Sequence, residues 1–235
     1  RQAALDLHPG CRPDTMNRNV ITPTRAVILF AHDQGWCPPI RVKGFTEDRL
    51  RKLGHSFAPK RETVAIDWDW IDQFRANASN RYLAALALFM FTTGTRVGAS
   101  TEMLPEDLNL QAGIAIVPPD KGQPPRQVSL VPEMVAELAN LKPRRGKVFG
   151  YASRQSVYGP WKTTCTRAGI AYVPPHQAGR HSFATEAVTR QGVDAKTAMD
   201  MGGWKSSRLF TETYVHGEGH HEVALQVFGR TRGAK

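Results

Sequence analysis

PPHQAGRHSFATEAV, residues 174–188, sets two prolines ahead of apolar residues that recur on a helical period. Phe183, Ala184 and Ala187 fall three and four apart, which predicts one buried helical face over 177–191. His176 and Arg180 are also four apart, so as helical residues they share that face and can converge on one ligand. An apolar face would bury the helix and aim both polar groups into an interior cleft. A buried cation needs partners there, which makes the pair more than decoration.

The flanking sequence supplies helices for this one to pack on. DWDWIDQFRAN (67–77) reads as a short amphipathic helix, and an apolar helix follows over 80–93, closed by Gly94 as its cap. Its longest apolar run, YLAALALFMF (82–91), is too short to span a bilayer and reads as a buried helix. A short segment opens at Arg96 and runs to Pro105. LNLQAGIAIVPPDKGQPPRQVSLV (108–131) then predicts two or three strands, with turns at 111–113 and 120–122. PEMVAELANL (132–141) is helical with proline in its first turn, and further helices are expected over 154–169, 194–201 and 206–214. The fold class is mostly α (α+β), helical with one small antiparallel β-sheet.

The N-terminal third has a different texture. DTMNRNVITPTRAVILFAHDQGW (14–36) is helical up to Gly35, with Pro23 marking a kink or a junction of two helices. The following residues, 37–62, are rich in Pro, Gly and basic side chains and predict a linker. One and a half helices cannot make a domain, so residues 1–36 are expected to be the tail of a helical module. Arg1 in place of an initiator methionine agrees with a chain cut from something longer. A single domain is thus expected over 63–235, with a C-terminal tail.

Charge narrows the partners. The net charge is +10, and nine Lys or Arg lie between Lys121 and Arg167 against only Glu133 and Glu137. That bias suits a polyanion, nucleic acid being the commonest, although solubility alone also explains a basic surface. The three cysteines (Cys11, Cys37, Cys165) are far apart and show no CxxC spacing. They point to a reducing compartment and away from structural zinc. There is no Gly-rich phosphate loop, HExxH or GxSxG.

Taken singly, the remaining candidates have ordinary readings. Arg96 in TTGTR and Lys121 at a hairpin tip read first as surface cations. Trp204 and Tyr214, in GGWKSSRLFTETYVH (202–216), read first as core aromatics, though a phenol can also attack an electrophile. The cluster HGEGHH (216–221) could ligate a metal but reads as tail.

Their order changes the weighing. TTGTR, a lysine in a β-turn, PHxxGRHSFAT, GGW and TETYVH together resemble the catalytic domain of the tyrosine recombinases, the phage integrase family. The resemblance covers about 62–216, and residues 14–36 resemble the last helix of that family's core-binding domain. It implies site-specific cleavage and rejoining of double-stranded DNA through a covalent 3′-phosphotyrosyl link, by a homotetramer on its sites, with accessory DNA-bending proteins as further partners. Tyr214 would be the nucleophile, Arg96 and Arg180 the phosphate clamp, Lys121 the general acid. His176 would assist proton transfer, and Trp204 would donate its N–H where most members have histidine. No metal or nucleotide cofactor is implied, and the location would be cytoplasmic, at the nucleoid. Two departures stand out: histidine lies four residues before the second arginine instead of three, leaving Gln177 in the nearer place. Ala99 also stands where an acid is common. The alternatives are a type IB topoisomerase-like enzyme and a decayed recombinase that only binds DNA.

Overall fold

The structure, a computed structural model, describes residues 2–59 and 63–214; the side chains of 2–4, 209 and 212–214 lie outside that description. The chain divides into two compact units, 1–62 and 63–235.

In the first unit, α1 (Gln2–Leu7) is followed by α2 (Pro13–Met16), which runs through one π turn (Asn17–Ile21) into α3 (Thr22–Asp33). Pro23 has no N–H for the helical ladder, and the wider turn just before it absorbs that loss. Of the stretch predicted as a linker, the described part carries α4 and residues that pack in this unit's core. Thr46 caps α4 (Glu47–Lys52) by accepting from the Arg49 N–H, and Phe45 and Leu50 are buried with Leu5, Met16 and Ile21. Two side-chain hydrogen bonds hold the backbone there: Asn17 Nδ2 donates to the Phe45 carbonyl at 2.8 Å, and its Oδ1 accepts from the Phe45 N–H at 2.7 Å. Pro and Gly content misled because three apolar anchors, Val42, Phe45 and Leu50, outweigh it. α3 itself buries no residue, and Val27, Leu29 and Phe30 are exposed.

The second unit is built around an apolar helix. Asp67 caps α5 (Trp68–Ala76), accepting from the Trp70 N–H, and Asn80 caps α6 (Arg81–Thr93) the same way through Leu83. α6 is apolar on every side, buries ten of its thirteen residues, and stops at Gly94, whose φ of 63° is the left-handed cap. α7 (Val97–Glu102) leads to a three-stranded antiparallel sheet, β1 (Leu108–Asn109), β2 (Ile114–Val117) and β3 (Arg126–Ser129), in that order. Ala115 pairs with Val128, and both face the core. After α8 (Pro132–Ala139) and α9 (Gln155–Ala168), Trp161 lies over Phe74 at 4.3 Å between ring centroids. The indoles of Trp70 and Trp161 stay satisfied in this core by donating to the Ala171 and Val173 carbonyls.

The predicted helix over 177–191 forms, but widened. A π turn (Gln177–His181), α10 (Ser182–Ala184) and a second π turn (Thr185–Arg190) follow one another. The Ser182 hydroxyl donates to the Gln177 carbonyl five residues back, while accepting from the Ile66 N–H, which fixes the wide turn against the segment before α5. Gly179 lets this turn approach α6: a Cβ there would stand 2.8 Å from that of Met90. α11 (Ala195–Gly202) and α12 (Ser207–Tyr214) complete the unit, with Phe183, Met199, Trp204 and Phe210 in a second small core.

Candidate active site

The site grows from two helix ends that meet. α6 ends at Thr93 and Gly94, α11 ends at Gly202 and Gly203, and both ends present carbonyls that no helical N–H can reach. Those carbonyls carry the negative end of each helix dipole, so a cation between them is favoured. Arg180 occupies that place. Its NH1 donates to the Gly94 carbonyl at 3.0 Å and the Gly202 carbonyl at 2.7 Å, and NH2 donates to Gly203 at 3.2 Å. Only 3% of it is exposed, and its guanidinium lies 3.6 Å from the centroid of the Trp204 ring. Hydrogen bonds and the aromatic face together make the buried charge tolerable.

Arg96 follows two residues after Gly94 and stands at the N-cap position of α7, its side chain free of the helix end; its NH1 lies 3.4 Å from Asp120 Oδ2. A cavity of about 250 Å³ opens between these groups, lined by Arg96, Arg126, Arg180, Asp120, Trp204 and Lys205 among others. Lys121 stands at the edge of this region, exposed, in a tight turn where the Gln123 N–H donates to the Asp120 carbonyl at 2.9 Å. Its φ of 48° and the 73° of Gly122 set two successive left-handed residues, the hairpin geometry the sequence implied.

Trp204 is buried, stacked with Phe183 and edge-on to Phe210 at 4.9 Å. It gives Arg180 a platform. Phe210 belongs to α12, whose last residue is Tyr214; the backbone of Tyr214 is described and its side chain is not.

His176 departs from expectation. It was to share an interior cleft with Arg180, yet it stays exposed at the start of the π turn while Arg180 is buried. The widened turn changes which residues of the segment point inward. Even so, partial burial of the ring, then the Arg180, Arg96 and Lys121 charges, hold its pKa below the ordinary histidine value. The structure therefore gathers Arg96, Arg180 and Trp204 at one cavity with Lys121 and His176 in their field.

Two lining residues were missed in the sequence. Asp120 gives no local signal, since an acid beside Lys121 acquires meaning only when Arg96 is near. Arg126 did give one: it precedes Val128 and Leu130 at two-residue spacing, which places a cation on the core face of a strand. Its NH1 donates to the Met201 carbonyl at 2.7 Å, and NH2 to the Thr93 carbonyl at 3.1 Å and Thr95 Oγ1 at 3.0 Å. Burial, and beside it the Arg96 charge, push its guanidinium down to about 10.

Among the described residues no group of three or more His, Cys, Asp or Glu is placed to hold a metal, and HGEGHH lies outside them. No helix among them is long and apolar enough to cross a membrane.

The sequence model described as the phage integrase family matches residues 69–221. Tyrosine recombinase XerD of Bifidobacterium longum is 33% identical over 159 residues, covering 56% of this chain and 48% of that protein. Tyrosine recombinase XerA of Pyrococcus furiosus is 28% identical over 148 residues, covering 58% and 50%. The chain thus spans about half the length of the curated relatives it matches. Among solved structures, XerA recombinase superposes with a TM-score of 0.60 at 23% identity, over 87% of this chain and 74% of that one. The Tn1549 transposon integrase in complex with transposon right end DNA gives 0.69 at 16% identity, over 96% and 83%. A family match over more than half the chain and a shared fold, helical with a three-stranded antiparallel sheet, agree with the motif order: the chain belongs to the phage integrase family, with the fold of a tyrosine recombinase catalytic domain.

Proposed function

We propose that this chain cleaves and rejoins DNA at specific sites through a 3′-phosphotyrosyl intermediate, serving integration or excision of a phage or other mobile element. The observation that carries the reading is the meeting of Arg96, Arg180 and Trp204 at one cavity, beside the turn that bears Lys121. Relatives with this fold include integrases bound to transposon DNA and to a core site.

Each residue has a chemical task. The Tyr214 phenol gives its proton to water and attacks the scissile phosphorus; a phosphorus–oxygen bond to tyrosine forms as the bond to the 5′ oxygen breaks. Arg96 and Arg180 neutralise the non-bridging oxygens, where charge grows in the transition state. Lys121 gives the departing 5′ oxygen its proton. His176, whose pKa is lowered by partial burial and then by the Arg180, Arg96 and Lys121 charges, would hold or pass a proton. Trp204 holds Arg180 in plane by stacking. A 5′ hydroxyl from a second strand then reverses the sequence, so no external energy is needed. Strand exchange between two duplexes calls for four protomers, and accessory DNA-bending proteins would bring the sites together. Residues 1–62 would contribute to DNA binding.

Covalent capture on nicked suicide duplexes tests this, with chelator present and Tyr214→Phe alongside. A denaturant-resistant adduct lost in Tyr214→Phe is the expected result. DNA binding without any adduct would reduce the protein to a DNA-binding role, and relaxation of supercoils without transfer between duplexes would make it topoisomerase-like.

A further inference from the structure

We propose that Arg126 is a positioning residue for strand cleavage: by binding the ends of α6 and α11 at once, it fixes the spacing of Arg96 and Trp204 across the cavity. The proposal rests on the cleavage reading above and adds to it a residue that touches neither nucleophile nor leaving group.

The geometry has two parts. First, Arg126 reaches the same two helix ends as Arg180, one residue away at each. Arg180 takes Gly94 and Gly202, and Arg126 takes Thr93 and Met201. One such tie leaves the ends free to pivot about it, whereas two ties side by side set both separation and rotation. Arg96 lies two residues beyond Gly94, and Trp204 directly follows Gly203, so that frame sets where both stand. The approach is close: a Cβ on Gly203 would fall 2.7 Å from Arg126 Cδ.

Second, the hydroxyls beneath Arg126 form a chain with one possible direction. Thr93 Oγ1 donates its proton to the Phe89 carbonyl at 2.6 Å, so in its 2.8 Å contact with Thr95 Oγ1 it must accept. Thr95 therefore donates to Thr93, and its remaining role toward Arg126 is as acceptor. The run Arg126, Thr95, Thr93, Phe89 anchors the guanidinium in the body of α6. Thr95 is the residue next to Arg96.

The division of labour follows. A phosphate at the cavity draws on Arg180, one of its two guanidinium clamps, and competes with the tie that Arg180 makes. Arg126 also lines the cavity, but its NH1 and NH2 are taken by Met201, Thr93 and Thr95, and it holds the frame while Arg180 changes partners. A lysine could not replace it, because one ammonium is a point charge and cannot span acceptors on two helix ends.

The test is single-turnover adduct formation on nicked suicide duplex at saturating DNA, well below the melting temperature, with DNA affinity measured in parallel. Arg126→Lys should slow the rate by roughly 10- to 100-fold, the loss expected when a clamp is displaced by a fraction of an ångström. Its DNA dissociation constant should stay within about 3-fold, because the charge is kept. Thr95→Val, which removes one acceptor, should slow the rate by about 3- to 10-fold. An unchanged rate at saturating DNA in Arg126→Lys, or a defect confined to affinity or melting temperature, would overturn the proposal and leave Arg126 a purely structural tie. Should Arg126→Lys not fold, Thr95→Val decides by the same criterion. No adduct from the wild-type protein would instead sink the cleavage reading, and this proposal with it.

Discussion

At the scale of single residues, the cavity sets four lining cations, Arg96, Arg126, Arg180 and Lys205, against two lining acids, Asp120 and Asp200. Asp120 and Arg96 are both partly exposed, so their contact at 3.4 Å adds little to stability, of order 1 kcal/mol at most. Its larger effect is on the field that a phosphate meets. Asp120→Asn should strengthen DNA binding a few-fold at low salt, and the gain should shrink as salt rises, a comparison that two binding isotherms provide. His176 carries a pH effect of definite sign. Its folded pKa is lowered, so as pH falls through the ordinary histidine value the unfolded chain takes up the proton first, and the folded state loses stability. Thermal melts of wild type and His176→Gln should coincide near pH 8, with the variant melting higher near pH 5. Melts that stay parallel across that range would show that neither burial nor the Arg180, Arg96 and Lys121 charges lower the His176 pKa. Arg180 was legible from its helical spacing on an apolar face, whereas Arg96 and Lys121 read alone as surface cations and were singled out only by the order of motifs that resembles the tyrosine recombinases. Asp120 was not, since its partner lies 24 residues away. Arg126 could have been read from strand alternation but was counted only as one more basic residue.

At the scale of elements, α5, α6, α8, α9 and α11 were legible nearly to their ends, and capping residues, Asp67, Asn80 and Asp194, spell out where three of them begin, whereas α1 and α4 were not foreseen. Nor were the three π turns. A wide turn is chosen by contacts from elsewhere, here the Ile66 N–H on Ser182 and the Met90 side chain against Gly179, and no periodicity announces it. The same blindness explains residues 37–62, where Pro and Gly content hid the anchors Phe45 and Leu50. Gly179 is the point where packing and site meet, since Arg180 is its neighbour. Gly179→Ala must push a Cβ into Met90, and overpacking of that kind costs about 1–3 kcal/mol. The melting temperature should fall accordingly. Because the displaced turn carries Arg180, adduct formation at saturating DNA should fall as well, whereas the cavity-forming Met90→Ala should lower stability with a smaller effect on rate. A Gly179→Ala protein that melts like wild type would show that α6 and this turn are not in the close contact described.

At the scale of the molecule, an excess of ten positive charges acts before any single contact does. Cations on an open surface attract the DNA backbone from a distance, and each phosphate they neutralise releases a counterion, so affinity falls by about 0.9 log units per log unit of salt for each contact. On the proposed reading, cations lining the cavity act differently, because they would meet one phosphate in a defined geometry. Lys205 and Arg96 line the same cavity and separate these roles: Lys205 is exposed, whereas Arg96 is tied to Asp120. Lys205→Gln should weaken binding to every DNA sequence and reduce the salt slope by about one contact. Arg96→Ala should leave most of the affinity in place and slow single-turnover adduct formation by about 100-fold or more, as loss of a transition-state donor does elsewhere. Salt titrations of the two variants, beside their rates at saturating DNA, distinguish the effects. If Arg96→Ala changed only the salt slope and not the rate, its guanidinium would be one more surface charge, and the cavity would have no claim to be where the chemistry occurs.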